Sequence, residues 1–145
     1  MYLVLLFFLL HAVYTDMTQT RISNRLIVLG LFIAFLFRIG REGSIGVLFF
    51  VINIMIPVIL LYLLFQMRAL GSGDIKLFSM LGAFISTEQL IKVMVWAFVI
   101  GAVFGMVKMV YKWIFQGCMR MELTQIHFSP VILIAYIVVT GGGIW

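Results

Sequence analysis

Two carboxylates stand where an otherwise apolar chain turns polar. Asp16 follows the apolar run 2–14, and Asp74 lies in the stretch 71–76 (GSGDIK), between one apolar run that ends at Phe65 and another that begins at Leu77. A carboxylate at or near bilayer depth is costly unless it is paired, hydrated or neutralised. A polar turn between two apolar runs would also carry Gly, Ser and Asp. The second carboxylate at Asp16 favours a chemical role over a turn.

Two carboxylates brought together cannot both ionise easily, so the pair would hold one proton between them and titrate as a unit. The ionised member can take a proton from a water molecule. The neutral member can donate a hydrogen bond to a peptide carbonyl and later protonate the leaving amine. Asp16 and Asp74 therefore predict general acid–base peptide hydrolysis, which needs no covalent intermediate, metal or cofactor.

Other chemistries find little support in the sequence. Cys118 is the only cysteine, so an internal disulfide is excluded, and His11 and His127 are isolated. The chain contains no Gly-x-Ser-x-Gly nucleophile turn, no His-Glu-x-x-His zinc motif and no phosphate-binding Walker sequence. We therefore predict no metal site.

The composition places the chain in a membrane. Hydrophobic residues make up 65% and charged residues 10% of its 145 residues, whereas soluble domains carry about 25% charged residues. This length predicts a single membrane-embedded domain over 1–145. The net charge of +5 suits anionic lipid headgroups. No basic block with interleaved aromatic residues is present, so we expect no nucleic-acid partner. The segment 1–13 lacks a basic start and a cleavage site, which predicts a retained span.

The apolar runs predict an all-α integral membrane protein, a bundle of six transmembrane helices. The runs are 2–14, 26–37, 44–67, 77–87, 93–107 and 128–145. The second is short, and its flanking arginines must extend towards the membrane surface for it to cross. The fourth can span only if its helix begins at or before Asp74.

Three features inside the runs predict helix packing. Asn53 is expected to hydrogen-bond between helices, and Pro57 is expected to kink the third span. Small residues recur every four positions at Ala97, Gly101 and Gly105, a pattern typical of close helix contact.

The distribution of positive charge predicts the orientation. Seven of the ten Lys and Arg residues follow the odd-numbered runs, and three follow the even-numbered runs. The three are Arg38, Arg41 and Lys92. The positive-inside rule then places the odd loops in the cytoplasm and both termini outside. Asp16 and Asp74 fall on the same, cytoplasmic side, provided that the second run crosses.

Three motifs in order carry a resemblance to a known family. Asp16 precedes the sequence 21–24 (RISN), the stretch 71–76 reads Gly-x-Gly-Asp-x-Lys, and 126–130 reads IHFSP. These segments resemble the aspartate with Ile-Pro-Asn, the GxGD motif and the Ile-Pro-Phe-x-Pro of the type IV prepilin peptidases, which are GxGD intramembrane aspartyl proteases. The resemblance runs from the first apolar run to the last.

The resemblance implies an enzyme of the plasma or inner membrane that removes the short leader of prepilin-like or preflagellin-like membrane proteins at the cytoplasmic face. It makes Asp16 and Asp74 the catalytic pair. Gly71 and Gly73 would admit the substrate backbone. In the same reading, Lys76 and Asn24 would shape the site.

The chain departs from the family pattern in two motifs and in length. Ser23 and His127 replace two motif prolines. The chain also lacks the Cys-x-x-Cys segment of the larger members, so we expect peptidase activity without N-methylation. It resembles the short forms that serve tight-adherence pili, competence-like systems or archaeal filaments.

Two alternatives remain open at the level of sequence. A presenilin or signal-peptide-peptidase type of GxGD protease would also use two aspartates, although Thr15 separates Tyr14 from Asp16 and Lys76 fits the prepilin type better. A small proton- or ion-coupled transporter subunit could use both aspartates to carry protons or cations.

Overall fold

A computed structural model describes residues 2–19, 22–67, 70–116 and 128–141. Over these residues the protein is all-helical and contains no strand. The helices are α1 (Tyr2–Gln19), α2 (Asn24–Gln66), α3 (Ser72–Phe84), α4 (Thr87–Gln116) and α5 (Ser129–Gly141).

Helix α2 reverses direction at Gly43. This residue has φ 61° and ψ −140°, the one non-helical backbone conformation inside α2, and glycine adopts a positive φ without the steric cost that a Cβ imposes. The rings of Phe35 and Phe50 lie 5.3 Å apart, although a straight helix would separate these residues by about 22 Å along its axis. The second and third predicted runs therefore form one helical hairpin, and the loop expected over 38–43 is reduced to a single residue.

Helix α3 lies at the centre of the fold. Every residue from Leu77 to Ile85 is buried. Lys76 contacts Asn24 near the start of α2, and Arg38 contacts Ala83 further along both helices, so α3 runs parallel to the first half of α2. The helix begins at Ser72, before Asp74, as the fourth predicted span required. Its 13 residues extend about 20 Å, which is less than the ~30 Å hydrocarbon core of a bilayer.

The second half of α2 packs closely on α3 at Gly82. A Cβ on Gly82 would overlap the carbonyl oxygen of Asn53. Pro57 has no N–H to donate to that carbonyl four residues earlier, so the oxygen is left to face the Cα hydrogens of Gly82. Such Cα–H···O contacts recur between closely packed helices. Pro57 is buried within a helix that continues through it.

The remaining helices surround α3. Leu5, Leu9 and Ala12 of α1 are fully buried, and the Tyr136 hydroxyl of α5 donates to the Tyr2 carbonyl. The start of α1 thus contacts the second half of α5.

The predicted stripe of small residues on α4 lies where α4 packs against the start of α5. Ala97 and Gly101 are buried. A Cβ on Gly101 would overlap the Phe128 ring, so glycine at this position allows Phe128, the residue before α5, to pack closely on α4.

Two helices are long and apolar enough to cross a membrane, Asn24–Gln66 and Thr87–Lys108. Many large apolar side chains of α2 and α4 face outward, which is unusual in a soluble monomer and fits contact with lipid. The six-span bundle and the positions of the termini remain predictions.

Several expected loop residues lie in helices. Glu88 and Lys92 belong to the first turns of α4, where their side chains pair at 2.8 Å. The loop expected from Lys108 is helical as far as Gln116. Arg38, counted with an outer loop, is a buried helical residue with 8% exposure. The count of loop charges that predicted the orientation therefore included Arg38, which does not lie in a loop.

Candidate active site

Asp16 lies in the last turns of α1, which extends beyond the apolar run to Gln19. Thr15 and Thr18 donate their hydroxyls to carbonyls of the preceding turn, so these two hydroxyls are satisfied on the helix itself. The Oδ2 atom of Asp16 is buried and accepts no hydrogen bond from the residues that the structure describes. Buried polar atoms without a protein partner are rare and need an explanation, and a catalytic role is one.

Asp74 lies in the first turn of α3. The preceding Gly71 is the N-cap residue in an extended conformation, and its N–H donates to Asp74 Oδ2 at 3.3 Å. A carboxylate in this turn is favoured by the unpaired N–H groups and the dipole of the helix. A Cβ on Gly71 would lie 3.2 Å from the same oxygen. Glycine at this position therefore leaves space beside the carboxylate.

Two contacts join the segment after Asp16 to the segment around Asp74. A Cβ on Gly73 would lie 3.3 Å from Ile22 Cδ1, so the missing side chain makes room for the link between α1 and α2. Lys76 Nζ donates to Asn24 Oδ1 at 2.9 Å. The structure thus brings together the segments that carry four predicted residues, Asn24, Gly73, Asp74 and Lys76. The close neighbour of Gly73 is Ile22; admission of a substrate backbone remains a prediction.

The opposite end of α3 is held by a buried arginine. Arg38 donates from Nε to Ala83 O at 3.2 Å and from Nη2 to Ile85 O at 2.6 Å. The last carbonyls of a helix have no intrahelical donors, and a cation at this end is favoured by the helix dipole. Arg38 also pairs with Glu42 at 3.3 Å. It therefore fixes the position of the helix that carries Asp74.

Asn53, together with Arg38, holds the end of α3. Its Nδ2 donates to Ile85 O at 3.1 Å, and its Oδ1 accepts from the Thr87 hydroxyl at 2.6 Å. The predicted interhelical hydrogen bond of Asn53 is confirmed. The role of Arg38 was missed, because a charged residue at the end of an apolar run is expected to extend towards water. Its position between apolar residues in FLFRIG was the available signal.

The third motif is described only in part. Ile126 and His127 lie outside the described residues. Phe128 packs against the rings of Phe78 and Phe98, with centroids 6.5 and 6.0 Å away. The motif therefore places the start of α5 against α3, one turn beyond Asp74.

In the described part of the chain, no three His, Cys, Asp or Glu side chains come together in a group that could hold a metal ion.

The comparison with protein families gives one match, and the comparisons with curated proteins and with solved structures give none. Residues 3–106 match the type IV leader peptidase family. This range contains both aspartates and the Gly-x-Gly-Asp-x-Lys segment, and it ends before the third motif, so it is shorter than the expected resemblance. The matched range covers well over half of the chain. The chain therefore belongs to the type IV leader peptidase family.

Proposed function

We propose that this chain is an intramembrane aspartic endopeptidase that removes the short leader of prepilin-like or preflagellin-like precursors. Its family makes it a leader-peptidase-like protease whose expected substrate is a membrane protein. The proposal adds the catalytic pair Asp16 and Asp74, the precursor class and the cytoplasmic face.

The observation that carries the proposal is the contact between the segment that follows the helix of Asp16 and the segment that contains Asp74. Gly73 is one residue from Asp74, and Ile22 follows the end of the helix that contains Asp16. The bond between Lys76 and Asn24 adds a second link. These contacts support a site in which both carboxylates reach the same end of the fold, and the charge bias predicts that this end faces the cytoplasm.

In the proposed mechanism, the two carboxylates share one proton. The ionised carboxylate takes a proton from a water molecule, whose oxygen bonds to the scissile carbonyl carbon while the neutral carboxyl donates to the carbonyl oxygen. When the C–N bond breaks, a carboxyl group gives its proton to the leaving amine. One proton enters the pair from water and one leaves with the amine, so the shared proton is restored.

The family membership speaks against the transporter alternative, because the family is one of peptidases. The presenilin-like alternative concerns the substrate, since those enzymes cut within a transmembrane helix. The hydrogen bond between Lys76 and Asn24 favours the prepilin type, because it gives the lysine of that motif a place in the site.

The test is cleavage of a precursor in cells. The chain is co-expressed with the prepilin-like genes that neighbour its own, and removal of the leader is followed by a gel shift. Asp16→Asn and Asp74→Asn keep the side-chain size but cannot exchange a proton, so each should abolish cleavage. Glu88→Gln is the matched control, because it neutralises an exposed carboxylate of α4 and should leave cleavage intact.

Each result separates the parts of the proposal. Cleavage by either Asp→Asn variant would refute the paired-aspartate mechanism. A wild-type chain that leaves every neighbouring prepilin intact would refute the substrate class. Loss of cleavage in Glu88→Gln as well would show that removal of any carboxylate impairs the protein, which would withdraw the support for the pair.

A further inference from the structure

A groove between α4 and α5 is lined by none of the residues of the two aspartate-bearing segments. Its volume is about 460 Å³, within the ~300–1,000 Å³ typical of small-molecule sites. Phe104 and Val107 of α4 form one wall, and Val131 and Ile134 of α5 form the other. The walls therefore suit a hydrocarbon chain.

The same groove carries a cation. Lys108 lies four residues after Phe104 on α4, so it shares that face of the helix, and it also lines the groove. Lys108 is exposed and makes no ion pair with a residue that the structure describes. Lys92 on the same helix is paired with Glu88. An apolar groove that contains an ammonium group without an acidic partner among the described residues is complementary to an anionic amphiphile.

The location matches a membrane boundary. Between Lys92 and Lys108, positions 93–107 of α4 carry no charged residue, so this part of the helix suits the hydrocarbon core of a bilayer. Phe104 and Val107 lie in the last turns of this uncharged run, and Lys108 is the first charge after it. The apolar part of the groove is thus at the depth of acyl chains, and the ammonium group is at the depth of lipid phosphates.

The size of the groove favours a lipid over a protein helix. From Phe104 to Tyr111 the α4 wall extends about 10 Å, whereas a transmembrane helix presents about 30 Å. We propose that this groove binds one anionic phospholipid, with an acyl chain between Phe104 and Ile134 and its phosphate at Lys108. Basic pockets between transmembrane helices are known to hold anionic headgroups.

The experiment measures lipid binding by native mass spectrometry on the full chain in a mild detergent. Dioleoylphosphatidylglycerol and dioleoylphosphatidylcholine, which have identical acyl chains, are titrated separately. We expect the first phosphatidylglycerol to bind more tightly than the first phosphatidylcholine. Lys108→Gln should weaken the binding of that phosphatidylglycerol about fivefold, the effect expected from one lysine beside an anionic lipid. Lys92→Gln, which removes the same charge from the same helix, should leave it unchanged.

A second pair of variants tests the apolar walls. Ile134→Trp should fill the groove and remove the tight phosphatidylglycerol site. If that protein does not purify as a folded species, Val107→Trp adds the same bulk from the opposite wall at an exposed position. Retention of the tight site in a folded groove-filling variant would overturn the proposal.

The lipid titration needs no cleavage, so its outcome is independent of the proposed peptidase mechanism. Equal affinity for the two lipids, or equal loss in Lys108→Gln and Lys92→Gln, would refute headgroup recognition. Displacement of phosphatidylglycerol by a prepilin-like substrate, with impaired cleavage by Lys108→Gln in pure phosphatidylcholine vesicles, would assign the groove to the substrate and overturn the lipid proposal.

Discussion

The Ile85 carbonyl at the end of α3 predicts a specific non-additivity. It accepts hydrogen bonds from both Arg38 and Asn53. Removal of either donor leaves the other in place, whereas removal of both leaves a buried carbonyl without these two partners. We therefore expect Arg38→Met and Asn53→Leu together to destabilise the protein by more than the sum of their separate effects.

The size of each effect follows from the contacts. Arg38→Met removes two hydrogen bonds to α3 carbonyls, and interhelical side-chain bonds in membranes contribute roughly 0.6–1.7 kcal/mol each, so we expect a loss of about 1–3 kcal/mol. The partly exposed Glu42 pair adds less than about 1 kcal/mol. The excess in the double variant should reach at least about 0.5 kcal/mol, the lower end of coupling between residues that share a partner.

The assay is reversible unfolding by increasing sodium dodecyl sulfate in mixed micelles, followed by circular dichroism. Arg41→Met is the matched control, because Arg41 is an exposed arginine three residues from Arg38, and its effect should stay within about 0.5 kcal/mol. Strict additivity of Arg38→Met and Asn53→Leu would refute the shared carbonyl as the anchor. An equal loss in Arg41→Met would attribute the effect to charge alone.

Two further predictions concern the packing and the site. Gly82→Ala should destabilise the protein by more than about 1 kcal/mol in the same unfolding assay, because its Cβ would overlap the backbone oxygen of Asn53. Gly40→Ala is the control, because a Cβ at this position meets open space. Equal losses of stability in the two variants would contradict the close contact at Gly82. Lys76→Ala and Asn24→Ala should each slow precursor cleavage. Both substitutions remove the same hydrogen bond, so the double variant should cleave no more slowly than the slower single variant. Additive losses in a cleavage time course would show that the two residues act separately.

The helical content was predictable because apolar runs with few charges have one satisfactory structure in a bilayer. The fourth predicted span could cross only if its helix begins at or before Asp74, and the start of α3 at Ser72 meets this condition, while the crossing itself stays a prediction. The end of α3 was less predictable. Its length is set by Arg38 and Asn53, which lie more than thirty residues away in the chain, and local sequence contains no signal for such partners.

The sequence predicted that the two aspartate motifs lie near each other but not which residues make the contact. The positive-inside rule predicted only that Asp16 and Asp74 share one side of the membrane. The specific links, Ile22 against Gly73 and Lys76 with Asn24, depend on the parallel packing of α3 along α2. Hydrophobic periodicity specifies which face of a helix is buried but not the register between two helices.

The reversal at Gly43 bears on how the chain is inserted and probed. The two arms of α2 extend about 28 and 34 Å, each close to one hydrocarbon thickness, with no linker between them, so we expect them to enter the bilayer together as a helical hairpin. Arg38 and Glu42, paired four residues apart, then enter as a neutralised couple rather than as separate charges. A reporter domain fused at this turn would separate the arms. Single-residue labelling at Gly40, which has open space around its Cβ, is therefore the suitable way to determine on which side the turn lies.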